Sequence, residues 1–217
     1  MEKTFDKKDA IRIVSAAAKE YQKNLEGQNL IFIYKNRQNN KIEFFESIFR
    51  ANNFQHLTGL EQIDEKHKLI KNADLFYQKC LNNKLKETEI REKDDGTIPL
   101  KLKALPQIVK IANNSKMTGL YDGNGKTLAV DRLVGSVYFC LGFKLEGSYY
   151  LPSSCLLEDI RNITDSPSQI LAVLSKSVKA KALTYEVIRY EAKGFKLSNA
   201  TLPEDVKAKL NSNILNP

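Results

Sequence analysis

The chain has 217 residues, 42% hydrophobic and 28% charged, which is enough apolar content for a real core and excludes a disordered or fibrous class. Its net charge of +8 favours a polyanionic partner, nucleic acid first. The excess is spread along the chain, with 21 Lys and Arg against 16 Asp and Glu in residues 1–110 and 13 against 10 in the rest, so there is no basic tail.

Residues 6–25 read as a helix, capped by Asp6, with Ile11, Val14, Ala18 and Tyr21 at helical spacing and Gly27 ending it. Leu30–Tyr34 is β-branched and aromatic and reads as a strand. Asn36–Asn40 is a polar turn, and Ile42–Phe49 is the second arm of a hairpin. Phe54-Gln-His-Leu-Thr-Gly-Leu60 then reads as a strand end, with Gly59 permitting a tight turn. Residues 64–82 look helical through Ile70, Ala73, Phe76, Tyr77 and Cys80. Residues 100–113 look helical through Leu102, Leu105, Ile108, Val109 and Ala112, with Pro106 predicting a kink or a later start.

The second half changes character. Tyr121–Lys126 is a turn, 134–143 reads as one buried strand, and Tyr149–Leu151 as a short strand ending at Pro152. Ser153 or Ser154 is expected to cap a helical segment running to Arg161. Residues 170–176 and 184–192 read as strands, and Pro203–Leu210 as a terminal helix. Helices early and strands late give an α+β class: a helical N-terminal region packed on a twisted antiparallel sheet of four or more strands. The expected division is an N-terminal helix over 1–25, a main α+β domain over 26–197 and a helical tail over 198–217.

Some functional patterns fail on spacing. Gly119 to Lys126-Thr127 invites a phosphate-loop reading, but five residues separate Gly119 from Gly125-Lys126-Thr127 where four are needed. Asp94-Asp95 and Glu158-Asp159 are adjacent pairs, without metal-ligand spacing, and read as a solvated loop and a helix face. Cys80, Cys140 and Cys155 are separated and form no CxxC, so they read as buried free thiols in a reducing compartment. No apolar run approaches the ~20 residues that span a bilayer, and the charged start lacks a signal-peptide core. A soluble, cytoplasmic protein with no cofactor, no metal and no membrane partner is expected. His67 lies in a charged run. His56, beside Thr58 and Gly59, has the chemistry for proton transfer or phosphate contact.

Several segments together resemble one family: Phe54–Leu60, Phe76–Leu81, Asp131–Gly135, Cys140–Phe143, Tyr149–Pro152 and Leu174–Lys176. They are similar to the fourth group of phage-associated nuclease domains related to barnase, EndoU, the nuclease colicins and the RelE toxins. The similarity covers about residues 25–195. It implies a helical part followed by a twisted antiparallel sheet, metal-independent RNA cleavage, and a toxin-like setting in a phage or mobile element.

Such cleavage needs a base for the 2′-OH, an acid for the leaving oxygen and donors for the phosphorane charge. With that resemblance, the expected catalytic group is His56, Thr58, Ser175 and Lys176, and the expected RNA contacts are Arg132 and Lys144. One histidine leaves a proton-transfer role open for a lysine, tyrosine or carboxylate. For His56 and Lys176 to act together, they must share one concave surface although 120 positions apart. The competing reading is a catalytically inert binding protein of a mobile element, an inhibitor of host defence or an immunity factor, that engages nucleic acid or a protein of the host or the mobile element.

Overall fold

A computed structural model describes residues 6–92, 96–123 and 128–215. The paired aspartates at 94–95 and the end of the 121–126 turn lie outside those residues. Helix α1 (Lys7–Asn24) starts where Asp6 accepts a hydrogen bond from the Lys8 amide at 2.9 Å. It leads into the hairpin of β1 (Gln28–Lys35) and β2 (Ile42–Ile48). A short helix α2 (Asn53–Thr58) follows, then β3 (Leu60–Gln62), α3 (Ala73–Leu81), β4 (Ile90–Glu92), α4 (Ile98–Ile108) and α5 (Ile111–Asn114). The second half holds β5 (Met117–Leu120), β6 (Arg132–Gly135), β7 (Cys140–Glu146), β8 (Tyr149–Leu156), β9 (Ser168–Ser177) and β10 (Val187–Glu191), then α6 (Glu204–Lys207) and α7 (Ser212–Leu215).

The main sheet has eight strands in the order β1-β2-β8-β7-β6-β5-β9-β10, and β9 also pairs with β1. Seven strands therefore close into a ring, and β10 lies beside β9 beyond the end of β5. The class is α+β, as expected. The sheet is mixed rather than wholly antiparallel, because β2 meets β8 through one parallel pair, Ser47 with Tyr150.

The inner face of the ring carries Phe32, Phe45, Val134, Leu141, Phe143, Ile170 and Val173, which form one core with α1, α3 and α4 through Tyr21, Phe76, Leu102 and Leu105. Alternation sends Ile31, Ile33 and Leu174 to the outer face, where Tyr185, Leu197, Leu202, Val206 and Leu210 cover them. No helix among the described residues is long and apolar enough to cross a membrane.

Local chemistry explains where the sequence expectations fail. The helix expected from residue 64 begins only at Ala73, capped by the Asn72 side chain. Before it, the Asp64 carboxylate accepts from the Lys66 and Lys68 amides and folds a turn with His67 at φ 59°. Phe54–Thr58 is helical, not a strand end, and Gly59 closes it in the left-handed region at φ 75°. The single strand expected over 134–143 is a hairpin. A Cβ on Gly135 would lie 2.1 Å from the Phe139 carbonyl oxygen, so only glycine permits this turn.

Strand β8 runs through Pro152 to Leu156, with no helix capped by Ser153 or Ser154. The register slips opposite Gly142 and Phe143, and this irregularity accommodates the proline. Pro106 lies inside α4, which ends two residues later, and α5 resumes after Lys110.

Candidate active site at the open end of the sheet

Strands β1, β2, β5, β6 and β9 bring polar inner-face residues to one end of the ring. Tyr34 and Glu43 are direct cross-strand partners, one step beyond Phe32 and Phe45 on the same face. The Tyr34 hydroxyl donates to Glu43 Oε2 at 2.9 Å. The carboxylate also accepts from Asn36 Nδ2 at 2.9 and 3.0 Å and from Asn39 Nδ2 at 2.7 Å, both in the hairpin turn. Those bonds, Asn39's first, hold Glu43 below the ordinary glutamate range against the cost of partial desolvation; Tyr34 and the Arg132 charge add to them. Burial raises Tyr34 above the ordinary phenol range, although the Arg132 guanidinium opposes this.

Arg132 faces this pair from β6. It shares the inner face with Val134, two residues on. Its guanidinium carbon lies 4.7 Å from the Phe45 ring centre, 5.3 Å from Tyr34 and 5.5 Å from Tyr150. Nη1 is 3.5 Å from Thr118 Oγ1, whose hydroxyl donates to the Leu133 carbonyl at 2.9 Å. The buried Nε has no hydrogen-bond partner among the described residues. A planar cation held by three rings in the wall of a concavity, half-buried and with no carboxylate in ion-pair range among the described residues, can receive an anion. Tyr34, Glu43, Thr118, Arg132, Asp165 and Ser168 line one concavity of about 220 Å³. Among the described residues no group of three or more His, Cys, Asp and Glu side chains converges.

The residues singled out from sequence fall in different places. His56 is exposed on α2 and shares a second concavity, about 370 Å³, with Lys144, Glu146, Pro152 and Ser153. Thr58 is fully buried; its hydroxyl donates to the Gln55 carbonyl at 2.8 Å and accepts from the Leu60 amide at 3.0 Å, finishing the end of α2. Ser175 is buried on the inner face of β9, between Leu30 and Val187 of the neighbouring strands. Lys176 takes the outer face, where its Nζ donates to the Leu183 carbonyl at 3.0 Å and sits 4.6 Å from the Tyr185 ring centre.

Strands β1 and β2 separate β9 from β8, against which α2 packs, so His56 and Lys176 do not share a surface. Of the six residues, Arg132 stands in the mouth of the ring, and His56 and Lys144 stand together in the other concavity.

Tyr34 and Glu43 were not singled out by sequence reasoning. The available signal was Glu43 itself, a carboxylate inside an apolar hairpin arm, placed opposite Tyr34 once Asn36–Asn40 is taken as the turn.

No curated protein and no solved structure matches the chain. A model of one protein family does match, over residues 13–194, which takes in the hairpin, both concavities and strands β1 to β10 of the described residues. The chain therefore belongs to the phage-Barnase-EndoU-ColicinE5/D-RelE like nuclease4 family.

Proposed function

We propose that this protein is an endoribonuclease that cleaves RNA by 2′-OH transesterification without a metal, in the mouth formed by Tyr34, Glu43, Thr118 and Arg132. The observation that carries this reading is the Tyr34–Glu43 pair, 2.9 Å apart, set beside a guanidinium that has no ion pair among the described residues. Arg132 takes the phosphate and neutralises the charge that develops on the phosphorane. Removing one such donor typically costs about 10²–10³ in rate. Glu43, ionised at neutral pH, accepts the 2′-OH proton as the O2′–P bond forms. The P–O5′ bond breaks, and the leaving oxygen takes the Tyr34 proton. Tyr34 regains a proton from Glu43 along their hydrogen bond. The products are a 2′,3′-cyclic phosphate and a 5′-hydroxyl.

Family membership supports nuclease action, and the net charge of +8 suits an RNA substrate. The second concavity supplies a competing location, since His56 and Lys144 together also offer a base and a cation. The test is incubation of purified protein with RNA in excess EDTA. Cyclic-phosphate ends are the expected product, with a loss of about 10²-fold or more in Glu43→Gln and Arg132→Ala. Loss in His56→Ala with Glu43→Gln intact would move the chemistry to the second concavity. Absence of cleavage by folded wild-type protein would end the catalytic reading.

A further inference from the structure

A larger groove, about 950 Å³, opens on the outer side of the same strand ends and shares Glu43 with the mouth. It runs between the tip of the β1–β2 hairpin and the segment after β10. The alternation of β1 and β9 produces this arrangement. Tyr34 and Ser168 line the mouth, while their neighbours Lys35 and Gln169, paired with each other, line the groove.

Lys35, Lys41 and Lys193 border the groove, all three are exposed, and no carboxylate among the described residues pairs with any of them. The half-buried ring of Phe195 lies among them. The two carboxylates in the lining are already engaged: Asp205 accepts from the Val206 amide at 2.9 Å, and Glu43 from the hairpin asparagines. Unpaired ammonium groups around an aromatic face match the chemistry of a single-stranded nucleic acid, with phosphates on the cations and a base on the ring.

We propose that this groove holds the single-stranded RNA flanking the cleaved bond, with its phosphates on Lys35, Lys41 and Lys193 and one base stacked on Phe195. The proposal rests on the reading of the mouth as the cleavage site, because Glu43 joins the two. It also gives the substrate a class, since a duplex cannot present an unstacked base to Phe195.

The test uses the full chain and a fluorescent 2′-O-methyl oligoribonucleotide, which lacks the attacking hydroxyl, so that binding is read without cleavage. Affinity is measured by anisotropy across a salt series. Lys35→Ala/Lys41→Ala/Lys193→Ala should flatten the slope of log affinity against log salt by about 2, three phosphates at about 0.7 each. Phe195→Leu keeps an apolar side chain in the groove and should weaken binding about ten-fold with the slope unchanged. Lys66→Ala/Lys68→Ala/Lys71→Ala, in the exposed loop before α3, removes the same charge elsewhere and should leave the slope as in wild type.

Equal flattening in the two triple variants, or in neither, would overturn the groove assignment, as would failure of the wild type to bind the oligonucleotide. Cleavage of a dinucleotide by the wild type, lost in Glu43→Gln and kept in His56→Ala, would still uphold the mouth as the catalytic site. Binding with the expected slopes in a protein that cleaves nothing would uphold the groove alone.

Discussion

Tyr34 and Glu43 stand directly opposite each other across the β1–β2 hairpin, and the phenol donates to the carboxylate at 2.9 Å. The pair is set by backbone register, and two asparagines of the intervening turn complete the hydrogen bonding of the same carboxylate. A carboxylate held this way stays ionised, and the phenol beside it stays protonated.

That relationship predicts a pH profile. Bonds from Asn39, Asn36 and Tyr34 stabilise the charged form of Glu43, so the acid limb of kcat/KM should lie below the ordinary glutamate range. Removing a donor raises the glutamate pKa, so Asn39→Ala should move that limb to higher pH. The stability linkage has the same sign: the folded-state value is depressed, so the contribution is present at neutral pH and lost as pH falls through the folded value. Cleavage of a dinucleotide measured against pH checks the shift, and an unmoved limb in Asn39→Ala would remove Glu43 from the role of base.

Arg132→Lys should behave as a severe change. Lysine keeps the charge but lacks the flat guanidinium that fits among Tyr34, Phe45 and Tyr150. The expected loss in kcat/KM is about 10²-fold, measured on samples whose circular dichroism matches the wild type. Near-wild-type activity in Arg132→Lys would mean that any cation suffices there.

A second polar cluster holds the C-terminal segment to the outer face of the sheet. The Tyr185 hydroxyl donates to Glu46 Oε1 at 2.8 Å, and Lys209 Nζ to Glu46 Oε2 at 2.6 Å. Glu46→Ala leaves a buried phenol without its acceptor and should cost about 1–3 kcal/mol. Tyr185→Phe leaves the lysine bond in place and should cost about 1 kcal/mol. Urea unfolding midpoints check both, and equal losses would show that Lys209 contributes nothing to the clasp.

The Cys80 and Cys155 thiols are buried, and burial pushes each up to about 12. Native protein should therefore resist iodoacetamide at these positions at pH 8, because the reacting species is the thiolate. Both should alkylate once the protein is unfolded. Mass spectrometry of native and denatured samples checks this, and rapid native labelling would show that these parts of the core open readily.

The sequence by itself determined the α+β class, the first helix with its Asp6 cap, the opening hairpin, the strong strand around 170–176 and the burial of all three cysteines. These are local matters: a capping side chain, a period of two or of 3.6, or a run of β-branched residues declares itself within a few positions. The resemblance carried by Phe54–Leu60 and the later segments named the family that the comparison over residues 13–194 also finds. In the structure the threonine of that segment closes a helix end, and its histidine sits in a concavity separate from the mouth.

Only the tertiary structure assembles the mouth proposed as the site. Tyr34, Glu43, Thr118, Arg132 and Ser168 come from five strands, and the closure of β9 onto β1 brings them to one mouth. Which face each side chain takes depends on irregularities such as the register shift between Ile33 and Tyr34, and a shift of one residue reverses the face of everything beyond it. Pairing between distant strands leaves no local periodicity to read, so Glu43 looked like one charged residue in an apolar hairpin arm until the fold set Tyr34 and Arg132 beside it.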